Sequence, residues 1–128
     1  MLIDRSDPTP IYAQIERAIR ADIATGRLKI GDRLPTVRRL AADLAINANT
    51  VAKVYSELER SGVLATQRGV GTFVRGPAES HAAKFASRDR EQFLHRLSDR
   101  LLADAQTMGL TIDDVIEYLE SRRPKERV

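Results

Sequence analysis

The 128-residue chain has no cysteine and no tryptophan, only three tyrosines and three phenylalanines, and two histidines. Without cysteine, disulfides, thiolate nucleophiles and thiolate metal sites are excluded. His81 and His95 stand 14 positions apart with no second pair of ligands beside them, so no metal site is expected. No apolar run approaches the roughly 20 residues that span a bilayer. The opening MLIDRSDPTP lacks the apolar core of a signal peptide, and a cytoplasmic location away from membranes is expected. Neither histidine nor any acid has a context that suggests a nucleophile with its base or a carboxylate pair, so no enzyme and no cofactor are expected. The length leaves room for one compact domain and an appendage, but not for a large substrate domain.

The charge that is present is unevenly placed. The net charge is only +3, but residues 1–76 hold 12 Lys and Arg against 8 Asp and Glu, whereas residues 77–128 hold 9 against 10. Positive potential in one half is the footprint expected of a phosphate-binding surface.

That half contains the stretch from Leu34 to Val74. Val37, Leu40, Ala41 and Leu44 recur at spacings of three and four, which predicts a short amphipathic helix capped by Thr36. Val51, Val54, Tyr55 and Leu58 repeat the pattern in a second helix, with Asn47 as its cap and Gly62 as its left-handed stop. At about 100 degrees per residue, Asn49, Lys53, Ser56 and Arg60 share the opposite, polar face. Alone, such a face is as consistent with a solvated helix surface as with a helix that reads a major groove. An uncapped amide end on this helix would add anion affinity. Beyond Gly62, VLATQ and TFVR can pair as strands around Arg68, Gly69, Val70 and Gly71. The glycines suit a hairpin tip and leave room for a sugar-phosphate backbone, and Arg68 rides on the tip. The layout is a winged helix-turn-helix.

These residues resemble the DNA-binding domain of the GntR family of bacterial transcription regulators. The resemblance runs from Pro10 to Val74, through PIYAQI, LPTVRRLA, INANTV, then Leu58, Glu59, Gly62 and GVGTFV. It implies DNA-contact roles for Arg38, Asn49, Thr50, Lys53 or its neighbours, Arg68 and Gly69. Many members carry Arg where this chain has Ala48, so a base contact there is either missing or supplied by Asn49. Arg38 and Arg39 are adjacent and point in different directions; the resemblance favours Arg38.

Before this unit, the prolines of DPTP hold an extended lead, and Ile11, Ile15, Ala18, Ile19 and Ile23 predict a helix ending near Gly26. Residues 27–33 connect the two and are placed to lend a short edge strand to the wing. Tyr12, Tyr55 and Phe73 fall on apolar faces and are expected in the core rather than as stacking platforms.

Composition shifts at Arg75–Ala78, which divides the chain into a DNA-binding domain, 1–76, and a helical region, 77–128. A long helix is expected from about Ser80 to Met108, with Leu94, Leu97, Leu101, Ala105 and Met108 forming a narrow seam. Thr111 and Asp114 then open a short helix lined by Ile112, Val115, Ile116 and Leu119. Asp113, Asp114, Glu117 and Glu120 suit the dipole of its first turns better than a cation site. Residues 122–128 form a basic tail expected to fray. The two-helix appendage resembles the YtrA-like branch of the GntR family, where this region serves dimerisation and leaves little room for an effector pocket. Two apolar faces without a third layer favour pairing with a second copy. The expected architecture is mainly α with a small antiparallel β wing. The expected function is a dimeric repressor on a near-palindromic operator in double-stranded DNA, with a transporter operon as one target and any small-molecule effector undefined. A winged-helix module that docks protein partners is the alternative.

Overall fold

The computed structural model describes residues 3–75 and 87–124, Ser87 and Arg88 by backbone only. The proposed boundary at 76–78, the part of the long helix before Ser87, His81 and the tail from 125 onward lie outside the described residues. The chain falls into two compact units, Met1–Ala78 and Glu79–Val128.

In the first unit, three helices surround one core: α1 (Ile11–Ala24), α2 (Val37–Leu44) and α3 (Ala48–Arg60). The hairpin β1 (Leu64–Gln67) and β2 (Gly71–Val74) follows. Helix α3 is central, because α1, α2 and β1 all pack on it. Val51, Val54, Tyr55 and Leu58 make its buried stripe, met by Ile15 and Ile19 from α1 and by Leu40 and Ala41 from α2. Leu64 pairs with Val74 in the antiparallel ladder, and both are buried. Strand alternation therefore sends this pair into the core and leaves the tip residues in solvent.

Local chemistry sets the helix ends. Thr36 accepts the Arg39 N–H at 3.1 Å, and Asn47 Oδ1 accepts the Asn49 N–H at 2.8 Å. Gly62, at φ 81°, closes α3 through Gly62 N–H to Glu59 O and Val63 N–H to Leu58 O. The same pair of bonds ends α2, from Ala45 to Ala42 and from Ile46 to Ala41, although Ala45 is not a glycine and sits at φ 53°. The Arg5 guanidinium donates from Nη2 to the carbonyls of Leu44, at 3.3 Å, and Ala45, at 2.8 Å.

The connector contributes a third, one-residue edge to the wing. Arg33 bridges Phe73, flanked by Gly31 N–H to Val74 O and Leu34 N–H to Thr72 O, both 2.8 Å. Of the aromatic residues expected inside, Tyr55 is buried, Phe73 is half-buried and Tyr12 is 45% exposed. Tyr12 follows Ile11 by one residue, which turns it about 100 degrees away and onto the outer flank of α1.

The Tyr55 hydroxyl donates to Pro35 O at 2.7 Å, tying α3 to the residues that lead into α2. Burial pushes this phenol from its ordinary value of 10.0 up to about 12. Its stabilising contribution is complete below pH 10 and is lost as the pH rises towards 12, because the unfolded chain gives up the proton first. Tyr55→Phe is expected to cost about 1 kcal/mol, since Pro35 O loses a neutral partner at a partly buried site. Chemical denaturation at pH 7 and pH 11 measures both effects: the variant is less stable at pH 7 and loses less on going to pH 11.

The second unit is a helical hairpin of α4 (Ser87–Thr107) and α5 (Ile112–Ser121). Leu110 N–H to Ala105 O and Gly109 N–H to Gln106 O close α4. Thr111 and Asp114 form a reciprocal capping box on α5, with Thr111 N–H to Asp114 Oδ2 at 2.8 Å and Asp114 N–H to Thr111 Oγ1 at 3.1 Å. These bonds hold the Asp114 carboxyl below the usual carboxylate range. Ala105 is buried and Leu102 and Val115 are half-buried, but the other apolar positions are exposed.

Candidate nucleic-acid interface

Burying Val51, Val54 and Leu58 turns the opposite side of α3 outward. Ala48, Asn49, Lys53 and Ser56 are exposed there, and Thr50 is half-buried. Arg60, expected on the same polar face, is committed elsewhere: its Nη2 lies 2.8 and 2.9 Å from the two carboxylate oxygens of Glu57. A three-residue spacing puts that acid within easier reach than any distant anion. The N-terminus of α3 is not an open amide end, because Asn47 takes the Asn49 N–H through its side chain and the Thr50 N–H through its carbonyl.

Lys53 has no carboxylate partner among the described residues. Its Nζ lies 5.1 Å from the centre of the Tyr12 ring, a cation–π seat in a small cleft shared with Glu16 and Glu57. Those acids are engaged by Arg20, at 3.4 Å, and by Arg60. The exposure of Tyr12 thus has a role that helical periodicity alone did not reveal: it is the platform under the exposed lysine of α3.

The paired arginines of α2 divide. Arg39 Nε is 3.3 Å from the Asp43 carboxylate one turn on, whereas Arg38 is exposed and has no ion pair among the described residues. On the wing, Arg68 is exposed and unpaired among the described residues, and Gly69 holds φ 77°. A Cβ at Gly69 would meet nothing within 4 Å, so its bare side faces open space. Gly71 differs. A Cβ there would come 2.7 Å from Nε of Arg33, so its space is already filled by a side chain from the connector. Of the two wing glycines expected to leave room for a nucleic-acid backbone, Gly69 faces open space, whereas Gly71 is covered by Arg33.

Residues 11–74 match the family described as bacterial regulatory proteins, gntR family. The chain belongs to the GntR family. The match covers α1 through β2, and the GntR fold of helix, helix-turn-helix and two-stranded wing is the one observed. Across both units, the chain is 34% identical to the HTH-type transcriptional repressor YtrA of Bacillus subtilis over 118 residues, covering 92% of this chain and 88% of that protein. YtrA from Sulfolobus acidocaldarius, described as a GntR-family transcription factor, superposes with a TM-score of 0.55 at 30% identity, covering 94% of each chain. These likenesses place this GntR chain in the YtrA-like branch. The structure of the AraR DNA-binding domain in complex with operator ORX1 matches 58% of this chain and 92% of its own, with a TM-score of 0.51 and 26% identity. As a GntR-family member the protein is a DNA-binding transcription regulator.

No group of three or more metal-ligating side chains occurs among the described residues. No helix among them is long and apolar enough to cross a membrane. His95 is an exposed partner of Asp99 at 3.3 Å.

Proposed function

We propose that the protein is a cytoplasmic repressor that binds a near-palindromic operator as a homodimer and occludes a promoter, with a transporter operon among its targets. The observation that carries the DNA reading is the division of labour on α3: one side buried, and the other presenting Asn49 and Lys53, while Lys53 and Arg38 of α2 have no ion pair among the described residues. In this reading α3 lies in a major groove. Asn49 reaches base edges, Thr50 and Lys53 engage the groove wall, and Arg38 grips the backbone. Ala48 contributes no polar base contact and leaves Asn49 as the reader. Arg68, carried beside the bare Gly69, approaches the adjoining minor groove. The name of the Bacillus subtilis relative supports repression, and the operator-bound AraR domain supports duplex DNA as partner.

The dimer reading rests on the helical hairpin. Leu94, Leu97 and Leu101 of α4, Met108 in the turn that follows it, and Ile112, Ile116 and Leu119 of α5 are between 42% and 77% exposed, with Val115 half-buried. A two-helix hairpin has no third layer to cover two apolar faces, and a second copy related by a two-fold axis provides one. Such a pair sets two copies of α3 about one DNA turn, or a multiple, apart.

The test is a titration of the protein against duplex DNA from upstream of its own gene and against a scrambled duplex, at two salt concentrations. Preferential, saturable binding that weakens with salt is expected. Arg38→Ala and Lys53→Ala are each expected to weaken operator binding at least about ten-fold, since the dimer loses the contact in both half-sites at about 1–3 kcal/mol each, and to leave the dimer intact. No binding to either duplex at low salt would overturn the reading in favour of a protein-docking module.

A further inference from the structure

The wing carries a second arginine that neither helical periodicity nor the family pattern singles out. Arg33 is anchored twice. Its backbone is the edge bridge to Phe73, fixed on either side by Val74 N–H to Asp32 O at 2.9 Å and Leu34 N–H to Thr72 O at 2.8 Å. Its side chain lies across the face of Gly71, where a Cβ would meet Nε at 2.7 Å, Cζ at 3.2 Å and Nη2 at 3.3 Å. Gly71 opens β2 opposite Gln67, directly after the tip residues Arg68–Val70. The guanidinium is therefore held at the tip end of the wing, on the strand that follows Arg68.

Its charge is unspent. In the first unit Arg20, Arg39 and Arg60 each have a carboxylate and Arg5 has two carbonyls, but Arg33 is exposed with no hydrogen bond or ion pair among the described residues. A planar fork of donors, pre-oriented on a rigid edge and lacking an acid, is suited to a phosphodiester oxygen. We propose that Arg33 is a phosphate-binding residue for duplex DNA that acts beside Arg68, and that Gly71 is a positioning residue whose missing side chain makes its seat. This rests on the DNA-binding reading above.

The experiment is a salt series on the full chain with the operator and scrambled duplexes, comparing wild type, Arg33→Gln, Arg33→Lys, Gly71→Ala and Arg38→Ala, with thermal melts of each. Arg33→Gln is expected to flatten the log–log salt slope by about 1.8, one phosphate from each half of the dimer, and to weaken both duplexes by a similar factor. Its melting temperature stays unchanged. Arg33→Lys is expected to keep the slope, and Gly71→Ala, which displaces the guanidinium and also strains a backbone held at φ 148°, to lose it together with some thermal stability. A wild-type slope in Arg33→Gln, alongside a reduced one in Arg38→Ala, would overturn the proposal while leaving DNA binding in place. Failure of the wild type to bind either duplex would overturn both.

Discussion

Leu101→Asp is expected to leave the protein monomeric at micromolar concentrations and, as a consequence, to abolish tight operator binding. Leu101 lies mid-seam on α4 and is 42% exposed in the single chain. Against a second copy, its replacement would bury a carboxylate among leucines. An unpaired buried charge costs several kcal/mol, so the dimer constant is expected to rise by two orders of magnitude or more. Operator affinity falls with it, because each half-site is then bound separately and the gain from linked binding is lost. Sedimentation velocity over a concentration series gives the dimer constant, and the DNA titration gives its effect. The variant remains folded, since the residue is exposed within its own chain. A Leu101→Asp protein that stays dimeric would show that the self-association surface lies elsewhere.

The second large effect is on stability. Leu58→Ala is expected to cost about 2–5 kcal/mol, the range for deleting a leucine side chain that neighbours cannot replace. Leu58 is fully buried at the C-terminal end of α3, with Leu64 and Val63 of the wing close to it in sequence and equally buried. Its carbonyl also accepts the Val63 N–H that turns the chain into the hairpin. Domains of this size are stable by only about 5–15 kcal/mol, so the loss is a large share of the total. The expected readout is a lower urea midpoint with an unchanged slope. Ile30→Ala, at a residue 71% exposed and outside the proposed dimer seam, is the matching control and is expected to shift nothing. A Leu58→Ala loss below about 1 kcal/mol would mean that the core collapses into the vacated space.

Much of the fold was legible because its signals are local. Thr36, Asn47 and the Thr111–Asp114 pair cap the helices that follow them, and Gly62 and Gly109 close the helices before them, all within a few residues. Periodicity also identified the buried side of α3 correctly. What it did not provide was the width of each buried stripe or the choice of partner for a long side chain. Tyr12 lies one step off the stripe of α1, and only the position of Lys53 on a different helix explains why a large aromatic stays in solvent. Arg60 has the right phase for the exposed side of α3, but a flexible guanidinium goes to the nearest acid, and Glu57 is one turn away. Arg33 and Gly71 are 38 positions apart, and nothing in either neighbourhood announces that one fills the space the other leaves. Contacts of that kind depend on how the sheet closes.

Arg5 bears on how the molecule can be cut. The family match begins at Ile11, yet the guanidinium of Arg5 secures the carbonyls of Leu44 and Ala45, at the corner between the two helices of the DNA-reading motif. The strap is itself tied down: Gln14 donates to the carbonyls of Asp4 and Thr9 and accepts the Asp4 N–H. Ala45 holds a left-handed conformation without the ease of glycine, so this corner depends on outside support. A fragment trimmed to the recognisable motif would strip the brace from the joint that aims α3, and an affinity tag fused to the first residues would sit a few bonds from it. For binding measurements, the smallest faithful piece begins upstream of Asp4, and the end to leave untouched is the one that carries no hallmark of the family.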